Sequence, residues 1–389
     1  MVNRVTRLFA EFILSTAEGL RVTKVKGNRM QFGLLYEIEK TQPWDENSQR
    51  EVFMESLEQI KLAEEVGFDY VWEVEHHFLG EFSISSAPEV FLAAVSQHTT
   101  KIRIGHGVVL LPFGYNHPIR IAERAATLDI VSNGRLEFGT GRSATNFEME
   151  PFGVDPNTNR DEWDEAIRLI PKMWTEDEFS WDSEKMKIPP RSIFPKPLQK
   201  PHPPMWMAGT QPSSEFLAAE RGLGFLHFSY TDPDALDEKI TKYREGIEKC
   251  EPVGSFINNK FAAFTLMHCG RDDKEALATG GPGAEWYVRA TNMLYSFWAQ
   301  SDNPSYKWYG EQFEKGKATM DVNVEQMVDD SILCIGGPER CAQIAGHFRD
   351  QGVDQLIFLV QHGPTKHEAI LDSLRRFGEE VIPQFKNGK

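Results

Sequence analysis

Asp69-Tyr70-Val71-Trp72-Glu73-Val74-Glu75-His76-His77-Phe78 is a short apolar run that ends on a cluster of titratable side chains. It follows a long amphipathic segment and the breaker Gly67, so it reads as a strand entered from a helix. Polar groups at the carboxyl end of a strand are where a strand–helix barrel assembles its active site. Histidine adds a charge that changes near neutral pH. His76 and His77 are neighbours, so in an extended chain they point to opposite sides and only one faces the barrel mouth. Alone, the pair fits a satisfied structural pair as well as a catalytic site. No further ligands stand at metal-binding spacing nearby.

Outward from this stretch, strand candidates alternate with helical-period segments. Strands are expected at 30–36, 69–74, 102–110, 135–139, 204–208, 224–229, 261–268 and 354–360. Helices are expected at 48–66, 88–98, from Pro118 onward, 160–174, 213–221, 233–249 and 367–381. Eight strand–helix units imply an α/β protein of the (β/α)8 TIM-barrel class, forming a single domain over residues 30–389. Residues 189–204 are proline-rich and read as an extended connection. Residues 270–335 are too long for one ordinary connection and form an insertion between strands 7 and 8. It carries Gly280-Gly281-Pro282-Gly283 and the aromatics Trp286, Tyr287, Tyr295, Phe297, Trp298, Trp308, Tyr309 and Phe313. These would wall a substrate pocket as a lid, or bury one another in a helical excursion. In the helix after Pro118, Ile119, Ile121, Ala122, Ala125, Ala126, Leu128, Ile130 and Val131 spread around much of the circumference. An outer barrel helix normally leaves one face wet, so a homodimer is expected to cover this one.

The 389 residues are 40% hydrophobic and 26% charged, the composition of a globular protein with a sizeable core. A net charge of −16 excludes a nucleic-acid binder, which needs a basic face. No apolar run approaches the roughly 20 residues that span a bilayer. Cys250, Cys269, Cys334 and Cys341 show no paired spacing and suit a reducing compartment as small buried residues. Residues 1–29 are basic, and Glu11 splits their apolar stretch, which a signal peptide would keep whole. They read as an extension outside the fold, and the protein as cytoplasmic.

Two further segments carry chemistry. Gly139-Thr140-Gly141-Arg142-Ser143 follows the fourth strand; small residues admit close backbone approach, and Arg142 offers a forked donor matched to phosphate. Ala208-Gly209-Thr210-Gln211-Pro212-Ser213-Ser214 joins the fifth strand to its helix. Thr210 and Ser213 supply hydroxyls there, either for an anion or as an ordinary helix cap.

From Met30 to Phe385 these segments resemble the bacterial-luciferase-like flavin-dependent monooxygenases. The resemblance rests on Glu75-His76-His77-Phe78, Ile104-Gly105 through Leu111-Pro112, His117-Pro118, and Leu128-Asp129 with Ser132-Asn133-Gly134-Arg135. Gly139-Thr140-Gly141-Arg142, Ala218-Ala219-Glu220-Arg221-Gly222 and Gly336-Gly337-Pro338-Glu339 extend it. It implies a barrel that uses FMN, arriving as FMNH2 from a separate flavin reductase, and O2 to oxygenate a small organic substrate through a peroxyflavin; the aromatic insertion suggests that this substrate is apolar. By position it implies His76 as the catalytic acid/base group and Gly107-Val108 as the backbone support of the flavin ring, through a non-proline cis peptide in well-known members. Arg142, Thr210 and Ser213, with Ala208 and Gly209 in the same loop, would grip the FMN phosphate. No metal is implied. Gly141 stands where the luciferase catalytic chain has a reactive cysteine, and Gly209 replaces an acidic residue; both argue against light emission. The same superfamily includes deazaflavin-dependent oxidoreductases, which remain an alternative. A non-catalytic flavin-binding protein on the same fold is another.

Overall fold

Strands that read as nearly unbroken apolar runs are those of a parallel sheet covered on both faces. The computed structural model describes residues 29–299, 301–318 and 322–386. The expected extension at 1–29 therefore lies outside the described residues except for Arg29, whose guanidinium pairs with Asp69 at 3.0 Å.

In chain order the strands are β1 (Gln31–Tyr36), β2 (Tyr70–Glu73), β3 (Arg103–His106), β4 (Val109–Leu110), β5 (Leu136–Gly141), β6 (Phe179–Asp182), β7 (Lys187–Arg191), β8 (Met205–Gly209), β9 (Gly224–His227), β10 (Phe261–Cys269), β11 (Cys334–Gly336) and β12 (Gln355–Leu359). The third barrel strand is β3 followed by β4, interrupted at a cis Gly107–Val108 peptide. Parallel pairing runs β1-β2-β3-β5-β8-β9-β10-β12 and returns to β1, closing an eight-stranded barrel. Every residue of β2, β5 and β10 is buried. Trp72 and Trp206 fill the interior edge to face at 5.4 Å, and Trp206 Nε1 donates to Glu137 at 2.6 Å.

The outer helices stop and start where local chemistry dictates. Ser48–Val66 ends on Gly67, whose φ of 102° is the left-handed form glycine adopts freely, and the Gly67 amide bonds Ala63 O at 3.0 Å. Pro118–Val131 opens on proline, with the His117 side chain accepting from the Ile119 amide at 3.2 Å. It buries Ile121, Ala122, Ala125, Ala126 and Leu128 against its own chain, and Trp174 Nε1 donates to Ala122 O at 2.9 Å. Ile130 and Val131 remain 43% and 44% exposed, a smaller apolar face than the sequence suggested.

Three local features differ from expectation. The proline-rich connection begins as part of an antiparallel hairpin, β6 against β7. Its register shifts between Phe179 and Trp181, and Pro189 and Pro190 sit in the segment opposite that irregularity, where a missing amide breaks no ladder bond. β11 is a short extra strand beside β10, in a segment that reads in sequence only as a glycine–proline motif. Gly280–Gly283 does not break the insertion: the helix Asp273–Tyr295 runs through it. A Cβ on Gly280 would lie 2.4 Å from that of His268, and one on Gly283 would lie 2.4 Å from His362 O. These glycines let the helix lie directly on the barrel. Cys269, Cys334 and Cys341 are buried as expected, while Cys250 is half-buried. No helix among the described residues is long and apolar enough to cross a membrane.

Candidate active site

Residues at or just after the ends of β1, β2, β3, β5, β8 and β9 share a cavity. It has about 1200 Å³ of empty space, counting its open mouth. His76 follows β2, β3 and β4 flank Gly107 and Val108, Arg142 follows β5, and Ala208 and Gly209 end β8 with Thr210 after them. All seven line the cavity. Ser213 does not; its neighbour Ser214 does, and Ser213 itself takes a left-handed φ of 66°.

The histidines separate as the extended chain demands. His76 turns into the cavity, and its Nδ1 lies 2.8 Å from Glu148 Oε1. His77 turns away, stacked on Tyr115 at 5.8 Å and packed on Phe152 at 4.6 Å, with Nε2 3.5 Å from Glu75. Glu75 is itself fixed by the Leu110 amide at 2.7 Å and by Asn116 at 3.0 Å. It therefore ties the end of β2 to the segment after the cis peptide.

Glu148 is the partner that sequence reasoning missed. Its carboxylate accepts from the His77 amide at 3.0 Å and from Thr145 Oγ1 at 2.7 Å. The sequence signal was Thr145-x-x-Glu148, which reads only as a helix start. Burial disfavours the His76 cation, but the Glu148 charge and hydrogen bond, with Glu37 and Glu75 behind them, outweigh it and hold the imidazole up at about 9. Burial also acts against the Glu148 anion, and there the His76 cation with the Thr145 and His77 donors prevails, keeping the carboxyl below its usual range. Both shifts favour an imidazolium beside a carboxylate.

At the other side of the cavity Arg142 makes a 3.2 Å hydrogen bond to Asn159 and lies 5.7 Å over the Tyr306 ring. The Thr210 hydroxyl bonds that of Tyr309 at 2.7 Å, so it does not cap the following helix. A Cβ at Gly141 would stand 2.5 Å from Val108 Cγ2. Val108 thus occupies the space that a side chain at 141 would need. FMN would fit this donor set: a cationic fork and hydroxyls for a phosphate, beside the Gly107-Val108 backbone for a flat ring. Among the described residues no group of three or more His, Cys, Asp or Glu stands together to hold a metal.

The insertion does both things the sequence left open. Tyr287, Thr291, Leu294, Tyr295 and Tyr309 line the cavity. Trp298 and Tyr306 instead stack on each other at 4.0 Å, in a separate cluster with Met149 and Val154.

A family model described as luciferase-like monooxygenase matches residues 30–355. The chain is 27% identical over 380 residues to the oxygenase component of the flavin-dependent trigonelline monooxygenase of Acinetobacter baylyi, covering 92% of this chain and 97% of that one. The FMN-bound oxygenating constituent of 3,6-diketocamphane monooxygenase from Pseudomonas putida superposes with a TM-score of 0.73 at 20% identity, over 91% of this chain and 99% of that one. A coenzyme F420-dependent tetrahydromethanopterin reductase from Methanopyrus kandleri superposes with a TM-score of 0.65 at 20% identity, over 92% of this chain and 100% of that one. At these identities the two structures speak for the fold alone.

Proposed function

The chain belongs to the luciferase-like monooxygenase family, and from that premise we propose that it binds reduced FMN and uses O2 to oxygenate a small organic substrate. The observation that carries this reading is the convergence of His76, Gly107, Val108, Arg142 and Thr210, from separate strand ends, on one cavity. Bound reduced FMN supplies the two electrons with which one oxygen atom enters the substrate while the other leaves as water. Arg142 and Thr210, joined by Ser214, would hold the phosphate, and Gly107 and Val108 would support the ring. His76, whose charged form Glu148 favours, would supply a proton or a hydrogen bond at the flavin, and Glu148 holds its ring in place. The apolar wall of the cavity keeps water from the reacting atoms. A separate reductase supplies the reduced flavin, a reading supported by the relative named as an oxygenase component.

The test is to mix anaerobic protein and reduced FMN with oxygenated buffer in a stopped-flow spectrometer. The protein-bound flavin is expected to re-oxidise more slowly than free flavin and in more than one phase, with His76→Ala shortening the slow phase. Re-oxidation at the free rate overturns the proposal. The shared fold of an F420-dependent reductase supports hydride transfer with a deazaflavin as a second reading. Fluorescence titration with FMN and with the deazaflavin separates the two, and tighter FMN binding is expected.

A further inference from the structure

Glu37 follows β1 directly and takes part in no step above. It is 5% exposed and lines the cavity. Its Oε1 accepts from the Tyr287 hydroxyl at 2.9 Å, while Oε2 has no hydrogen-bond partner. The nearest cation is His76 Nε2, at 3.6 Å beyond hydrogen-bond reach, and the other nitrogen of that ring is committed to Glu148 at 2.8 Å. One imidazole therefore faces two carboxyl groups, and burial pushes the Glu37 carboxyl up, so its charged form needs a cation beside it. A buried carboxylate oxygen left without a donor is costly.

The rings around it form one continuous surface. Tyr287 stacks on Phe82 at 5.3 Å and meets Tyr230 edge-on at 6.2 Å; Tyr230 in turn contacts Phe264 at 5.8 Å. All four rings line the cavity. Aromatic faces beside an anion are the chemistry that holds an organic cation: the rings attract the spread positive charge, and the carboxylate balances it. A neutral apolar substrate would leave Glu37 buried and unpaired, and an anionic one would be repelled.

We propose that the substrate taken by this pocket is an organic cation, such as a substituted ammonium or an N-alkylated aromatic ring, seated against Phe82, Tyr230 and Tyr287 with its charge on Glu37. The inference rests on the monooxygenase reading only in naming the occupant a substrate; the cation site itself is tested without turnover.

The probes are benzyltrimethylammonium and its uncharged isostere neopentylbenzene, titrated calorimetrically into the full chain with and without FMN. The cation is expected to bind about tenfold tighter than the isostere, a difference of about 1.4 kcal/mol. Glu37→Gln is expected to remove most of that preference while leaving the neutral probe unchanged. Equal affinities, tighter binding of the neutral probe, binding of neither, or a preference that survives Glu37→Gln overturns the proposal. The wild-type comparison decides alone if Glu37→Gln does not fold. FMN titration of the same sample keeps the two readings apart, since loss of FMN binding with the cation preference intact removes only the flavin assignment.

Discussion

At the scale of single residues the site is a set of charges whose states depend on their neighbours. His76 is held up at about 9 against its ordinary 6.5. A folded-state pKa raised above the unfolded one stabilises the protein fully below pH 6.5, and that stabilisation is lost as pH rises through about 9. Glu148→Gln removes the nearest anion and is expected to lower the His76 pKa by about 1–2 units. NMR titration of the His76 ring reads this directly, and an unmoved midpoint would assign the shift to Glu37 and Glu75 instead. Gly141 makes a steric prediction. Gly141→Ala places a methyl 2.5 Å from Val108 Cγ2 and is expected to destabilise by about 1–3 kcal/mol and to weaken FMN binding. Adding Val108→Ala should recover much of both losses. Additive losses in the double variant would mean that the two side chains do not compete for one space.

At the scale of elements, the helix Asp273–Tyr295 shows why glycines that look like breakers are tolerated. Gly280 and Gly283 sit where a Cβ would enter His268 or the backbone of His362, so contact with the barrel offsets their poor helix propensity. Gly281 is different, because a Cβ there would meet only Val324 Cγ1, at 4.0 Å. Gly281→Ala is therefore expected to raise stability by about 0.5–1 kcal/mol and Gly280→Ala to lower it by about 1–3 kcal/mol, measured by urea unfolding. A Gly281→Ala change that destabilises would show the helix to be more closely packed there than the structure indicates.

At the scale of the whole molecule, acid should unfold the protein through histidines that the fold keeps neutral. Burial pushes His227 down to about 3 and His106 and His362 down to about 4. Below pH 6.5 the unfolded chain takes up protons that these folded rings refuse, so stability falls as pH drops from 6.5 toward 4, by up to ~3 kcal/mol per ring. Chemical denaturation at a series of pH values is expected to show that slope, and a flat profile across the range would mean that the folded and unfolded chains take up protons alike. Assembly is the second question at this scale. The proposed homodimer now rests on a smaller face that includes Ile130 and Val131, and light scattering at micromolar concentration is expected to give twice the chain mass; a monomer would end the proposal.

The alternation of strands and helices is legible in the sequence, because a residue's preference for a buried strand or a helix face is local. Ser48–Val66 and Pro88–His98 have in the structure the bounds their periodicity and flanking breakers predict. His76, Arg142 and Thr210 could be named because strand ends and small-residue loops mark themselves along the chain. The β6–β7 hairpin was hidden, since two prolines argue against a strand unless an irregular register spares their missing amides. Glu148 and Glu37 were hidden for a stronger reason. Glu148 reaches His76 across 72 residues, and Glu37 reaches Tyr287 across 250. Sequence alone determined the barrel and the family, and named seven residues that line the cavity, while placing Ser213 there wrongly and missing Glu37. The raised pKa of His76 and the unpartnered Glu37 carboxyl oxygen among aromatic rings were decided only by tertiary structure, because burial and charge pairing come into being when distant strand ends close into one cavity.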